Sequence, residues 1–212
     1  MRAKVTAGDT AERIFAAADD LFAESGYDGV SARDIARAAG VNKALVFYHF
    51  GNKEALFEKV LERYYQAHKR ALEGAFQSQG SIEQRLHTLV DAYLDFMADN
   101  SSYARMVQRE ITGRGKHIRP ITRSLAPLFT FVEAALSDLA PCDGPLAARH
   151  FFVTFSGAVT NYFTFAPVLE PIWPQPPESP EALAERRAHL HWLVDTLVGG
   201  LRRALLQDAA KG

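Results

Sequence analysis

The fold is decided by residues 31–57, which read SARDIARAAGVNKALVFYHFGNKEALF. Ser31 is placed to cap a short helix, and Asn42 and Asn52 are placed to cap two further helices. Gly40 permits a sharp turn between the first two of these helices. A short helix, a glycine turn and a second short helix form a helix-turn-helix, a motif whose second helix enters the major groove of DNA.

The second short helix carries aromatic residues on more than one side. Helical spacing places Lys43, Ala44, Phe47 and Tyr48 on one face and Val46 on the opposite face, where it can pack inward. An exposed Phe–Tyr pair is unfavourable in water and needs a partner. Phosphates, thymine methyl groups and guanine edges would supply one. The alternative is that both aromatic side chains complete the core of a small helical bundle.

Local charge favours the DNA interpretation. The chain of 212 residues has a formal net charge of −1, so a DNA-binding surface must be a local patch. Residues 31–53 contain four basic residues and one acidic residue, which gives this stretch a net charge of +3. Lys53 lies in the first turn of the next helix, where free backbone N–H groups also favour an anion. This position predicts a phosphate contact for Lys53.

Helical periodicity extends along the rest of the chain. A first helix ends at Gly26, and the helix after Asn52 continues to about Phe76. Further helices are predicted near 81–99, 101–112, 119–139, 145–165 and 181–206. Because no stretch alternates with the two-residue period of a strand, the sequence predicts an all-α fold.

Three features of the sequence indicate the compartment. Residues 151–169 carry no charge and have about the length of a membrane span, but their Thr, Ser and Asn side chains are too polar for lipid and predict a helix buried in protein. Cys142 is the only cysteine, which excludes an internal disulfide and favours a reducing compartment. The first ten residues lack the apolar run of a signal peptide. We therefore expect a cytoplasmic protein without a membrane partner.

Residues from about 9 to 68 resemble the DNA-binding domain of the TetR family of transcriptional regulators. The residues that match the family's pattern are Ser31, Ile35, Ala36, Ala39, Gly40, Val41, Lys43, Val46, Tyr48, His49, Phe50, Lys53, Glu54 and Leu56. The chain departs from the pattern at Asn42, Ala44 and Phe47, where the family usually has Ser, Gly and Tyr. Asn caps a helix as well as Ser does. Phe47 has no hydroxyl group, so more of the polar contact falls to Tyr48.

The resemblance implies a set of DNA contacts in the helix-turn-helix. The recognition helix would read bases or backbone, Arg33 would reach a base edge or a phosphate, and His49 would either pack near the backbone or contact a phosphate. The residues predicted to bind DNA are Ser31, Arg33, Asn42, Lys43, Ala44, Phe47, Tyr48, His49 and Lys53.

The resemblance also implies that residues 77–212 form a helical effector-binding and dimerisation domain, joined to the DNA-binding domain (9–68) by the fourth helix. The predicted effector pocket is rich in aromatic residues and suits a lipophilic or aromatic ligand. Its candidate residues are Tyr93, Phe96, Phe129, Phe155 and Tyr162, with Arg105, Gln108, Arg109 and His117 as polar groups.

The last two predicted helices would form the dimer interface, and ordinary packing within one chain is the alternative. The candidate interface residues are Phe151, Phe152, Leu190, Val194, Leu197 and Leu201.

These features predict a homodimeric, ligand-responsive transcriptional repressor that binds a palindromic double-stranded DNA operator and is released by a small effector. The alternative is a DNA-binding adaptor whose helical domain recruits a protein partner. An enclosed apolar cavity in that domain would favour the first function, and an exposed apolar groove would favour the second. The sequence has no HExxH, no glycine-rich phosphate loop and no GxSxG. We therefore expect no catalytic residues, metal or cofactor.

Overall fold

The computed structural model describes residues 7–113 and 118–210, and every regular element within them is an α-helix. The helices are α1 (Ala7–Ser25), α2 (Ala32–Ala38), α3 (Lys43–Phe50), α4 (Lys53–Phe76), α5 (Ile82–Asp99), α6 (Ser101–Thr112), α7 (Ile118–Leu136), α8 (Ala148–Leu169) and α9 (Pro180–Ala209). The predicted all-α fold is confirmed. No described helix contains a stretch long and apolar enough to cross a membrane.

The helix-turn-helix begins and turns where the sequence predicts. The Ser31 Oγ accepts a hydrogen bond from the Asp34 backbone N–H at 3.2 Å, and the Asp34 carboxylate accepts one from the Ser31 N–H at 3.1 Å. The Asn42 side-chain oxygen accepts from the Leu45 N–H at 2.9 Å. Gly40, between the two helices, has a φ of 63° that only glycine adopts without strain. These caps therefore fix where α2 and α3 start.

The chain divides into two compact units. Unit 1 contains the described residues up to Gln66 together with those from Ser102 to Pro120, and unit 2 contains Ala67–Ser101 and the described residues from Ile121 onward. The predicted domain bounds, 9–68 and 77–212, stay predictions. The grouping of residues 102–120 with the N-terminal helices was not predicted from the sequence.

Unit 1 is a helical cluster built on α1. Many of its buried apolar residues come from α1, α2, α3 and the first half of α4, and these include Ile14, Ala18, Phe22, Ile35, Ala36, Val46, Leu56, Phe57, Val60 and Leu61. The Tyr64 hydroxyl donates to the Asp19 carboxylate at 2.7 Å, which joins α4 to α1. Tyr103 of α6 packs its ring 5.2 Å from that of Tyr64. The start of α6 therefore belongs to the same core.

In unit 2, α5 packs against both α8 and α9. A row of polar side chains lies along the seam between α5 and α9. Asp91 accepts from Arg187 at 2.8 Å and lies 2.7 Å from His191 Nε2, and His87 Nε2 lies 2.9 Å from the Asp195 carboxylate. The rings of His87 and His191 stack with centroids 4.1 Å apart. This polar seam, defined by these five residues, fixes the register of the two helices.

Candidate nucleic-acid interface and ligand cavity

Helix α3 presents a mixed aromatic and basic face to solvent. Tyr48 is 79% exposed and Phe47 is 38% exposed, whereas Val46 on the opposite face is completely buried. Lys43 and Ala44 are exposed beside them, and the Lys43 ammonium lies 5.2 Å from the centre of the Phe47 ring. The predicted division of this helix into an inner and an outer face is therefore present in the structure.

Ser31 and Asn42, both predicted to contact DNA, use their side-chain oxygens as helix caps. The Ser31 hydroxyl also donates to the Asp34 carboxylate at 2.5 Å, and this hydrogen bond lowers the pKa of Asp34. Asn42 uses its amide oxygen and keeps its NH2 group for other partners. Contact of either residue with DNA stays a prediction, and their role in the structure is to place α2 and α3.

The other predicted contacts lie around the same helices. Arg33 is exposed in the first turn of α2, and Arg37, also exposed, pairs with Asp34 at 3.1 Å. His49 is half-buried, with its ring 5.1 Å from that of Tyr48. The basic surface therefore extends from the start of α2 to the exposed face of α3.

The Lys53 side chain has partners within the chain that the sequence did not predict, and its contact with DNA stays a prediction. Its ammonium group donates to the backbone carbonyl of Tyr27 at 2.7 Å and to that of Val30 at 2.9 Å. It also lies 3.9 Å from the centre of the Tyr27 ring. Two of its three N–H donors are thus directed into the protein, toward the segment between α1 and α2. The prediction treated this side chain as directed outward to a phosphate.

Unit 2 contains an apolar cavity. It is lined by residues of α5, α7, α8 and α9, namely Leu86, Leu89, Val90, Tyr93, Leu128, Val132, Phe152, Phe155, Ser156, Val159 and Val194. Among these described lining residues none is charged. The free volume of the cavity is about 20 Å³, enough for a water molecule but not for a larger ligand. A ligand would therefore have to displace side chains in order to bind.

Only some of the residues predicted to bind the ligand line this cavity. Tyr93 and Phe155 line the cavity, and the Tyr93 hydroxyl shares a hydrogen bond of 3.0 Å with the hydroxyl of Thr160. Phe129 does not line it but packs edge-to-face on Phe152, which does, at 5.4 Å.

Phe96 and Tyr162 lie outside the cavity lining. Phe96 is buried, with its ring 4.9 Å from that of His68. Tyr162 is buried and donates to the Pro177 carbonyl at 2.6 Å, so its hydroxyl faces the proline-rich segment before α9.

The predicted polar groups that lie within the described residues do not line this cavity. Arg105 and Arg109 belong to unit 1, where Arg105 donates to the Ser102 hydroxyl at 3.2 Å and Arg109 is exposed. Gln108 belongs to unit 1 as well, and His117 lies outside the described residues. A role of these side chains in effector binding stays a prediction.

The predicted dimer residues of α9 mostly face their own chain. Leu190, Val194 and Leu201 are buried, and Val194 lines the cavity. The stripe they form packs against α5 within the chain, which favours the alternative of packing within one chain, and their part in a dimer interface stays a prediction. Leu197 is half-buried.

The predicted dimer residues of α8 also have partners within the chain. Phe151 is buried, and Phe152 lines the cavity. The exposed apolar residues of α8 and α9 are instead Val153, Phe165, Val168 and Trp192, together with Leu205 and Leu206 near the end of α9. Trp192 could have been found from the sequence, because two residues along a helix correspond to about 200° and place it opposite Leu190.

An exposed aromatic and basic helix, held by capping residues in a helix-turn-helix, defines a DNA-binding protein of the helix-turn-helix class. Residues 14–60 match the family model described as "Bacterial regulatory proteins, tetR family". This part of the chain, which contains α2, α3 and the start of α4, therefore matches the DNA-binding domain of that family.

Three similar proteins illustrate the relationship. The chain is 30% identical to the transcriptional activator FasR of Mycolicibacterium smegmatis over 45% of this chain and 43% of FasR. It is 29% identical to the transcriptional repressor NicS of Pseudomonas putida over 52% of each chain. The structure of FadR from Bacillus subtilis in complex with stearoyl-CoA superposes with a TM-score of 0.60 and 18% identity, over 90% of this chain and 96% of FadR. The chain spans about half the length of the first curated relatives that it matches.

Proposed function

We propose that this protein is a homodimeric transcriptional regulator that binds double-stranded operator DNA through α3 and is controlled by a small lipophilic effector. The observation that carries the proposal is the exposed face of α3, where Tyr48 and Phe47 stand beside Lys43. Tyr48 is 79% exposed and contributes little to the core of its own chain, and Phe47 beside it is 38% exposed. Contact of this face with operator DNA would explain why these aromatic side chains are exposed.

In this proposal α3 lies in the major groove. Tyr48 donates its hydroxyl to a phosphate, Phe47 and Ala44 make apolar contacts with thymine methyl groups, and Lys43 binds a phosphate or a guanine edge. Arg33 approaches the DNA backbone from the start of α2. Because Phe47 lacks a hydroxyl, its contribution would be to distinguish bases that carry a methyl group rather than to hold a phosphate.

The chemistry of the cavity supports a lipophilic effector. Its lining is apolar apart from the hydroxyl groups of Tyr93 and Ser156, so it suits an acyl chain or an apolar ring system and opposes a charged group. The similar fold of FadR, which binds stearoyl-CoA, is consistent with a ligand of this class. In this chain Phe152 and Phe155 would have to move to admit the ligand.

A second copy of the chain is the proposed occupant of the exposed apolar surface of α8 and α9. Val153 is 65% exposed, Val168 61% and Trp192 60%, and Phe165 is also exposed. Burying such side chains against the same surface of another copy is the self-complementary contact of a twofold dimer. The dimer would place two recognition helices about 34 Å apart, the spacing that a palindromic operator requires.

The proposed control rests on the continuity of α4, which begins in unit 1 and ends in unit 2. A ligand that binds more tightly to one arrangement of the two recognition helices shifts the population toward that arrangement. We propose that this arrangement does not fit the operator, so that the protein is a repressor released by its effector. The names of the two relatives are compatible with activation or with repression of transcription, since FasR is an activator and NicS is a repressor.

The proposal can be tested in two steps. Selection from a random double-stranded DNA library would give an operator, and fluorescence anisotropy would then give its dissociation constant with and without a series of fatty acids, acyl-CoA esters and steroids. We expect one of these classes to weaken operator binding at least tenfold. A protein that selects no sequence would refute the DNA function. Operator binding that no apolar compound changes would favour the alternative adaptor, whose partner would dock on the exposed groove lined by Val153, Phe165 and Trp173.

A further inference from the structure

Lys53 joins three parts of unit 1 through one ammonium group. It is the first residue of α4, and its side chain reaches back to the segment between α1 and α2. The carbonyl of Tyr27 accepts at 2.7 Å and that of Val30 at 2.9 Å. Val30 immediately precedes Ser31, the cap of α2. The ammonium group therefore connects the start of α4 with the start of the helix-turn-helix.

The Tyr27 ring completes this arrangement. It lies 3.9 Å from the Lys53 ammonium, within the range of a cation–π interaction. Its other contacts are with the core, since its centroid is 5.1 Å from that of Phe57 in α4 and 6.2 Å from that of Phe22 in α1. The ammonium is thus held from two sides, by carbonyl oxygens and by an aromatic ring that is itself packed on the core.

The location of this lysine is otherwise unfavourable. A positive charge in the first turn of a helix opposes the positive end of the helix dipole. The Asn52 side chain already caps α4 by accepting from the Ala55 N–H at 2.8 Å, so the lysine is not needed as a cap. Carbonyl oxygens that accept from a charged donor compensate for the unfavourable dipole, because such hydrogen bonds are stronger than neutral ones.

We propose that Lys53 is a positioning residue for DNA recognition and not a phosphate contact. By holding the carbonyls of Tyr27 and Val30, it fixes the start of α2, and α2 in turn packs against α3. The inference rests on the proposed function of α3 for its effect on DNA. Its effect on the helix-turn-helix itself can be measured without DNA.

The two roles predict different results for Lys53→Met, which keeps the length of the side chain and removes its charge and donors. If Lys53 positions α2 and α3, affinity for the operator falls about tenfold, the loss expected for charged hydrogen bonds. Affinity for a scrambled duplex stays within twofold, and the slope of log K against log salt is unchanged. If Lys53 binds a phosphate, both duplexes lose affinity equally and the slope becomes shallower by about 0.9.

Lys69→Met is the matched control, since it removes the same charge from an exposed position of α4. It should leave both affinities unchanged. All titrations are made at a temperature where melting curves show each variant to be fully folded. Under this condition a variant that only loses stability keeps its affinities. Unchanged affinities for Lys53→Met would therefore contradict the positioning role.

Hydrogen exchange of the free protein gives a readout that does not depend on the DNA function. In Lys53→Met the amides of residues 31–50 should exchange at least tenfold faster, while those of α1 around Phe22 keep their protection. Unchanged exchange in residues 31–50 would overturn the inference, even if no operator exists.

Tyr27→Leu is the second test of the positioning role, to be used if Lys53→Met does not fold. It removes the ring beside the ammonium and leaves the lysine charge in place. The positioning role predicts a several-fold loss of operator selectivity for this variant, and a phosphate contact predicts none.

Discussion

His68 makes the stability of unit 2 sensitive to acid. It lies on α4 with 1% of its surface exposed, and its ring is 5.3 Å from that of Tyr93 and 4.9 Å from that of Phe96. Burial lowers the pKa of His68 from its ordinary value of 6.5 to about 4, because the charged imidazolium is poorly solvated there. The folded chain therefore holds this histidine neutral at a pH where the unfolded chain protonates it.

The sign and size of the effect follow from linkage. The folded-state pKa of His68 is below the unfolded-state value, so its contribution to stability is complete above pH 6.5 and is lost as the pH falls toward 4. At pH 5.0 the loss is about 2 kcal/mol, and below pH 4 it approaches about 3 kcal/mol, from one pKa unit being worth about 1.4 kcal/mol.

Urea unfolding at pH 7.5 and pH 5.0 measures this loss. Trp173 and Trp192 both lie in unit 2, so their fluorescence reports on the unit that contains His68. His68→Leu removes the titrating group, and we expect it to lose about 2 kcal/mol less than the wild type between the two pH values. His150→Leu, at an exposed position of α8, should behave like the wild type. The protein concentration is held constant because a dimer's stability depends on it.

The prediction is refuted if the wild type and His68→Leu lose the same free energy of unfolding between pH 7.5 and pH 5.0. In that case the imidazole would be able to gain a proton within the folded chain without cost. The acid sensitivity would then belong to other titrating groups.

Three further predictions concern the proposed surfaces. Tyr48→Ala should weaken operator binding about tenfold, as expected for an exposed group worth 1–2 kcal/mol of contact, with no change in melting temperature; normal binding would exclude α3 as the reading helix. Ser156→Phe should place a ring in the cavity and abolish the response to effector while operator affinity in its absence is kept, and a full response would locate the effector elsewhere. Trp192→Asp should give a folded monomer by light scattering. Leu190→Asp should instead destabilise the fold, because Leu190 is buried against its own chain. A dimeric Trp192→Asp variant would exclude this face as the interface.

The helix-turn-helix was predictable because its signals are local. Ser31 and Asn42 cap the helix that directly follows each of them, and the two faces of α3 follow from helical spacing within eight residues. Contact of these residues with DNA stays a prediction. The role of Lys53 could not be found in this way, because the carbonyl groups that hold it are 23 and 26 residues distant in the chain.

The helices of unit 2 were placed well, but their faces were not. α9 has apolar residues on two sides, and the spacing of Leu190 and Val194 alone does not tell whether they meet α5 or another copy of the chain. α8 is uncharged after Arg149 and His150, so it offers no charged face from which an orientation could be derived. Arg105 and Arg109 were assigned to the ligand pocket by composition, whereas the contacts of α6 group them with unit 1.

The polar seam between α5 and α9 determines how the cavity can grow. Sliding these helices apart would break the pairs of Asp91 with Arg187 and of His87 with Asp195 and would separate the stacked imidazoles. α8 has no ion pair of this kind with either helix among the described residues: the neutral Tyr93–Thr160 hydrogen bond joins it to α5, and a hydrogen bond of 2.6 Å from Arg186 to the Ala158 carbonyl joins it to α9. We therefore expect α5 and α9 to act as the stationary wall during effector uptake and α8 to swing outward. The outer face of α8 carries part of the proposed dimer contact. A ligand that enlarges the cavity would therefore strain the dimer interface.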